Sequence, residues 1–170
     1  TRVGDLSSPL RDRFGIISKL NYYTEEELFQ IIKRTSRVLN MEILDNSAKE
    51  LAKRSRGTPR IANRLFKRVR DFALVDGKSV IDKEVLDKAL DRLKVDKLGL
   101  DETDYNLLIS IIEKFNGGPV GIDALAASIG EEASTIEDVY EPYLLQNGYL
   151  KRTSRGRMVT DKTYKYLGYE

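Results

Sequence analysis

The 170 residues include no cysteine and no histidine. Without Cys there is no disulfide framework and no thiolate site. Without His there is no Ser–His–Asp triad, no imidazole metal site and no imidazole acid–base step. No apolar run approaches the roughly 18–20 residues that a membrane span needs. The opening residues Thr1 to Asp5 lack the apolar stretch of a secretory signal. Pro and Gly number only 4 and 12, which argues against long disordered linkers. These absences predict a cytoplasmic protein with no membrane partner.

What is present is an ordinary globular balance. One third of the chain is charged and 41% is hydrophobic, enough for one medium domain or two small ones. The 29 Lys and Arg nearly cancel the 27 Asp and Glu, but the near-neutral sum hides an uneven distribution. Residues 1–98 carry 22 basic side chains against 15 acidic ones. From Gly99 to Glu141 one base, Lys114, faces ten acids; from Pro142 onward six bases face two acids. Such asymmetry marks separate domains or a nucleic-acid contact.

Hydrophobic spacing and capping signals predict the elements. Ser8-Pro9 begins a short helix to Arg13, and Ile16 to Tyr23 reads as extended. Thr24 with Glu27 forms a capping box before Leu28, Ile31, Ile32 and Leu39. Asp45 or Asn46 caps the next helix, which ends near Gly57. Thr58-Pro59 then starts a helix with Ile61, Leu65, Val69 and Phe72 on one face and Arg60, Arg64, Lys67 and Arg68 on the other. Asp82 caps a further helix, so residues 24–94 read as a four-helix unit. After a polar connector, Asp101 caps a helix to Phe115. A short helix over 121–129 follows. A third, capped by Ser134 or Thr135, carries Ile136, Val139, Tyr140, Tyr143 and Leu144 inward. Two strand-like segments, 149–153 and 157–160, and a last helix from about Asp161 complete the chain. Helix, short strand, helix, helix and hairpin is the order of a winged helix.

Three segments bear on chemistry. Gly77-Lys78-Ser79 looks like the end of a phosphate-binding loop, but position 72 is Phe and a helix precedes it, so the required glycine and strand are absent. No other segment supplies such a loop, nor an acidic strand to hold magnesium. These residues alone therefore lack the parts that bind and cleave a nucleoside triphosphate. The cationic helix from Pro59 reads equally as a solvated face or as a phosphate site built from backbone donors, helix dipole and guanidinium. The hairpin Lys151-Arg152-Thr153-Ser154-Arg155-Gly156-Arg157 holds four cations in seven residues. It suits a duplex phosphate ladder, with an ordinary basic turn as the alternative. The helix that usually reads DNA in such a fold, about Thr135 to Asn147, carries Glu137, Asp138 and Glu141 and no Lys or Arg. The wing is thus predicted to dominate, with contacts to the backbone and little sequence preference.

Pro9-Leu10-Arg11-Asp12-Arg13-Phe14-Gly15, the run Arg56-Gly57-Thr58-Pro59-Arg60 through Leu65, Gly117 to Gly121, Thr135 to Leu144 and the wing Arg152 to Arg157 together resemble the bacterial RuvB family. The resemblance runs in order over nearly the whole chain. One departure is Ser154, where the family usually has Pro. The family consists of hexameric AAA+ motors that drive branch migration of Holliday junctions. The resemblance implies a mainly α fold: the tail of an AAA+ ATPase core over 1–23, a helical lid over 24–96 and a winged-helix DNA-binding domain with a small β-hairpin over 97–170. It makes Arg13 the arginine finger acting on the neighbouring subunit's nucleotide. It makes Arg60 the sensor-2 contact to the chain's own nucleotide, Tyr23 an aromatic beside the base, and Arg152, Arg155 and Arg157 the DNA contacts. It implies ATP or ADP with Mg2+ in a longer protein, whose nucleotide-binding sequences lie upstream in the family. It implies duplex DNA at Holliday junctions, further copies in a hexamer, RuvA and RuvC as partners. The alternatives are a stand-alone winged-helix regulator, or the lid and winged helix of another AAA+ machine such as a replication initiator.

Overall fold

The structure, a computed structural model, describes residues 22–169. The expected helix over 9–13, most of the extended segment after it, and Arg13 lie outside the described residues. Helix α1 (Glu25–Val38) begins at the capping box read from the sequence: the Glu27 amide donates to Thr24 Oγ1 at 3.2 Å and the Thr24 amide to Glu27 Oε1 at 3.4 Å. Strand β1 (Glu42–Ile43), α2 (Asp45–Lys53), α3 (Pro59–Val75), β2 (Val80–Ile81) and α4 (Lys83–Arg92) follow. Asp82 caps α4 by accepting from the Val85 amide at 2.9 Å. The four helices enclose Leu28, Ile32, Leu51, Phe66, Val69 and Leu86, all essentially inaccessible.

Two details differ from expectation. Strands β1 and β2 pair in parallel, Glu42 with Val80 and Ile43 with Ile81. Two residues are too short to show a period of two, so the pair is invisible in the sequence. Neither Asp45 nor Asn46 caps α2. Leu44 does, with no side-chain bond, because its amide is drawn to the Ile81 carbonyl at 3.1 Å. Asp45 instead pairs with Lys33 Nζ at 2.9 Å.

A second cluster of buried side chains begins at Leu100 and includes Leu107, Leu108, Ile111, Leu125, Ile136 and Leu144. It is built from α5 (Glu102–Phe115), α6 (Ile122–Ile129), a third helical stretch, the antiparallel strands β3 (Leu150–Thr153) and β4 (Gly156–Val159), and α9 (Asp161–Leu167). Val120 bonds to Arg157 in both directions, at 2.9 and 2.8 Å, adding a one-residue third strand. Gly156 makes this close approach possible: its φ is +136° and a Cβ there would strike the Val120 carbonyl.

The third helical stretch is a correction. It does not start at a Ser134 or Thr135 cap. It comprises α7 (Ala133–Thr135), a π-helical segment (Ile136–Tyr140) and α8 (Glu141–Gln146). Pro142 explains the π segment. Proline has no N–H to donate, and in an α-helix its ring would strike the carbonyl four residues back, at Asp138; a widened turn relieves the clash. The extra residue also rotates the faces. Val139, expected inside, is 46% exposed, while Glu141 is 1% exposed.

Candidate nucleic-acid interface

The hairpin places its cations on different sides. Arg152 and Arg157 face each other across the ladder, and Lys151 faces Met158. Alternation along a strand puts Arg152 and Arg157 on the side of Leu150, which is buried, and Lys151 on the other. Thr153 Oγ1 donates to the Gly156 carbonyl at 2.9 Å and accepts from the Arg155 amide at 3.2 Å, closing the turn without help from Ser154. Lys151 and Arg155 are exposed.

Arg152 and Arg157 converge on the helix that carries the acids. Arg152 donates to Glu141 from Nε at 2.9 Å and from Nη2 at 2.7 Å. Arg157 donates to Glu141 from Nε at 2.8 Å and to Glu137 from Nη2 at 2.8 Å. The Arg152 side chain remains 54% exposed and Arg157 only 13%. Glu137 and Glu141 thus brace the wing from behind, and the π segment turns Glu141 to do so.

Burial alone would raise the Glu141 carboxyl, but the bonds and charge of the two arginines outweigh it and hold the group below 4.5. A lowered acid stabilises the fold fully above 4.5 and loses that contribution as pH falls through its folded value. The Arg157 Nε–H signal, followed by NMR, is expected to keep its bonded position above pH 4.5 and lose it on further acidification. Loss of the bonded position already above pH 4.5 would contradict the brace.

The cationic helix α3 presents Arg60, Arg64, Lys67 and Arg68 to solvent. Its first turn opens on a cleft of about 460 Å³ lined by Tyr22, Arg56, Arg60, Arg64, Val139 and Tyr143, among others. Pro59 occupies the first turn, and Thr58 makes no side-chain cap. Tyr23 is 45% exposed and donates its amide to the Gly57 carbonyl at 2.8 Å; its neighbour Tyr22, with Tyr143, lines the cleft and Tyr23 does not. Gly57, at φ +69°, lets Tyr22 lie against it, since a Cβ there would sit 2.7 Å from the tyrosine Cβ.

Arg56, which reads in the sequence as one more basic residue, is 5% exposed and grips Asp104, which is fully buried. The contact is bidentate, Nη1 to Oδ2 at 2.8 Å and Nη2 to Oδ1 at 3.2 Å. Asp104 also accepts from the Asp101 amide at 2.9 Å, closing the capping box of α5. Burial pushes its carboxyl up to about 7 against the opposing pull of Arg56. No sequence signal distinguishes this arginine or the inward Glu141, because both depend on packing between elements far apart in the chain. Among the described residues no group of three or more acidic side chains is placed to hold a metal ion. None of their helices is long and apolar enough to cross a membrane.

Comparison with known proteins gives a consistent answer. Residues 23–96 match the model of the RuvB AAA lid domain, and residues 97–168 that of the RuvB C-terminal winged helix domain. The chain is 65% identical over 165 residues to the Holliday junction branch migration complex subunit RuvB of Phytoplasma mali, covering 97% of this chain and 50% of the relative. The chain thus spans about half the length of the curated relative it matches. Its fold is similar to the Thermotoga maritima RuvB Holliday junction branch migration motor, with a TM-score of 0.92 at 56% identity. That match covers 99% of this chain and 57% of the other. A mutant of that RuvB superposes with a TM-score of 0.93, again at 56% identity, over 100% of this chain and 56% of its own. A helical lid followed by a winged helix with a braced basic hairpin, matched along both parts, places this chain in the RuvB family.

Proposed function

We propose that this chain supplies the lid and the DNA-gripping wing of a subunit that drives ATP-dependent branch migration of Holliday junctions. The observation that carries the reading is the braced basic hairpin joined to a lid whose cleft holds Arg60. In this reading Arg60 contacts the phosphates of the chain's own nucleotide from the first turn of α3, where a guanidinium and backbone N–H groups converge. Tyr23 lies beside the base, and Arg13 reaches the nucleotide of the next subunit. Arg152, Arg155 and Arg157 meet DNA phosphates, with Arg155 and Lys151 presented outward and Arg152 and Arg157 held in place by Glu141. RuvA, RuvC and further copies in a hexamer are the partners.

Duplex binding by this chain is expected to be weak, indifferent to sequence and strongly dependent on salt. In a plot of log K against log salt, each arginine that meets a phosphate should lower the slope by about 1 when replaced by Ala. Arg155→Ala alone tests the outward cation. Arg152→Ala and Arg157→Ala together test the braced pair. An unchanged slope in the triple variant would remove the wing from the interface. A strong preference for one DNA sequence would favour the regulator reading instead.

A further inference from the structure

Arg56 sits in the turn between α2 and α3, four residues before Arg60. Its φ of +56° is uncommon for a residue with a side chain and persists only where the surroundings over-determine it. Those surroundings come from three places in the winged helix. The guanidinium forks onto Asp104 in the first turn of α5. Nη2 reaches the Tyr140 carbonyl of the π segment at 3.5 Å. Its Cζ lies over the Tyr143 ring of α8, 4.5 Å from the centroid. A guanidinium forked onto a carboxylate, bonded to a carbonyl and set against a ring is held by three elements at once. The connector is tied down as well: Arg54 Nη1 donates to the Val95 carbonyl at 3.2 Å and the Tyr143 hydroxyl to the Leu98 carbonyl at 2.7 Å. Two residues before Tyr143 stands Glu141, which holds Arg152 and Arg157. Arg56 and Arg60 line the same cleft, and from Arg56 contacts run through α8 to the wing.

We infer that Arg56 is a positioning residue that locks lid and winged helix into one rigid body, so that a displacement at Arg60 is delivered whole to the wing. The rigidity stands on geometry alone; its use in delivering motion rests on the motor reading above.

The absence of cysteine makes the test clean, since two introduced cysteines are the only labelling sites. Nitroxides at Asp87→Cys on α4 and Ala124→Cys on α6 report the distance from the lid to the winged-helix body, here the lid-to-wing distance, by pulsed electron resonance. Asp87→Cys with Val38→Cys reports a distance inside the lid. The parent is expected to give one narrow lid-to-wing distribution. Arg56→Ala and Asp104→Asn, the latter keeping an oxygen for the Asp101 amide, are expected to broaden it and leave the distance inside the lid unchanged. A broad distribution in the parent overturns the inference, as does an unchanged one in a variant that keeps its helical signal. Broadening of both distances together would reduce Arg56 to a general structural role. In a family-length protein, Asp104→Asn should lower branch-point movement per ATP by about 2- to 30-fold, a range typical of residues on coupling paths, while turnover per subunit is held. If the parent family-length protein moves no branch points, the motor reading fails while the distance result stands.

Discussion

Arg56→Ala is expected to cost this chain about 3–5 kcal/mol of folding stability above neutral pH, because it leaves the buried Asp104 carboxyl with no cation beside it; the loss should shrink as pH falls and that carboxyl, already raised to about 7 by burial, takes up a proton. Few single substitutions on this surface should approach that figure. Exposed pairs such as Lys88 with Glu84 stand in water, which screens them, so breaking one costs far less. The asymmetry lies in what remains. Removing both partners, with Arg56→Met and Asp104→Leu, takes away the desolvation cost along with the attraction, so stability should recover most of the loss, short of the parent by the α5 capping bond that Asp104 accepts from the Asp101 amide. Urea unfolding measures both. A loss below about 1 kcal/mol in Arg56→Ala would mean that water reaches Asp104 and that the pair is not a buried one. The double variant also separates two properties that a single substitution confounds. An apolar contact fills the space but has no fork, so the chain should be stable and still show a broadened lid-to-wing distance.

In a protein of full family length, Arg13→Ala should slow ATP turnover by about 10³- to 10⁵-fold, the range that arginine fingers contribute. A guanidinium placed against the transferred phosphoryl stabilises charge that grows only in the transition state. Nucleotide affinity should therefore change little, which equilibrium titration with a fluorescent nucleotide can establish. Mixing Arg13→Ala subunits with subunits defective in nucleotide binding should restore some activity, because in this reading finger and nucleotide belong to different copies. Loss of nucleotide binding in Arg13→Ala would point to a structural role. Arg13 lies outside the described residues, so its assignment rests on the segment Pro9 to Gly15.

Local signals carried much of the fold. The capping box at Thr24, the Asp82 and Asp101 caps and the proline at the start of α3 each depend on residues within four positions, and each stands where spacing placed it; that Asp104 completes a second box at Asp101 emerges only in the structure. The hairpin around Gly156 was equally legible, because alternation and a glycine turn are also local. The third stretch of the winged helix was misread for a definite reason. Counting at 3.6 residues per turn carries Val139 inward and leaves Glu141 out; the π segment before Pro142 adds a residue and reverses both. The acidic face then changed meaning, from a repulsive surface to the support of two arginines.

By itself the sequence determined that arginine would carry this protein's polar chemistry, since histidine and cysteine are absent, and that its cations would gather on the α3 helix and the wing. Composition and near-neighbour spacing suffice for that, because they need no knowledge of which distant residues meet. Only the tertiary structure decided which arginines face outward and which are spent holding parts together. Arg155 and Arg157 differ by two positions and in sequence are indistinguishable; one is exposed and the other is gripped by Glu141. Arg56 and Arg60 differ by four; one is locked against Asp104 and the other opens on the cleft. The cost of burying a charge is met only by a partner at hydrogen-bonding distance, and here the partners lie 48 and 16 residues away in the chain.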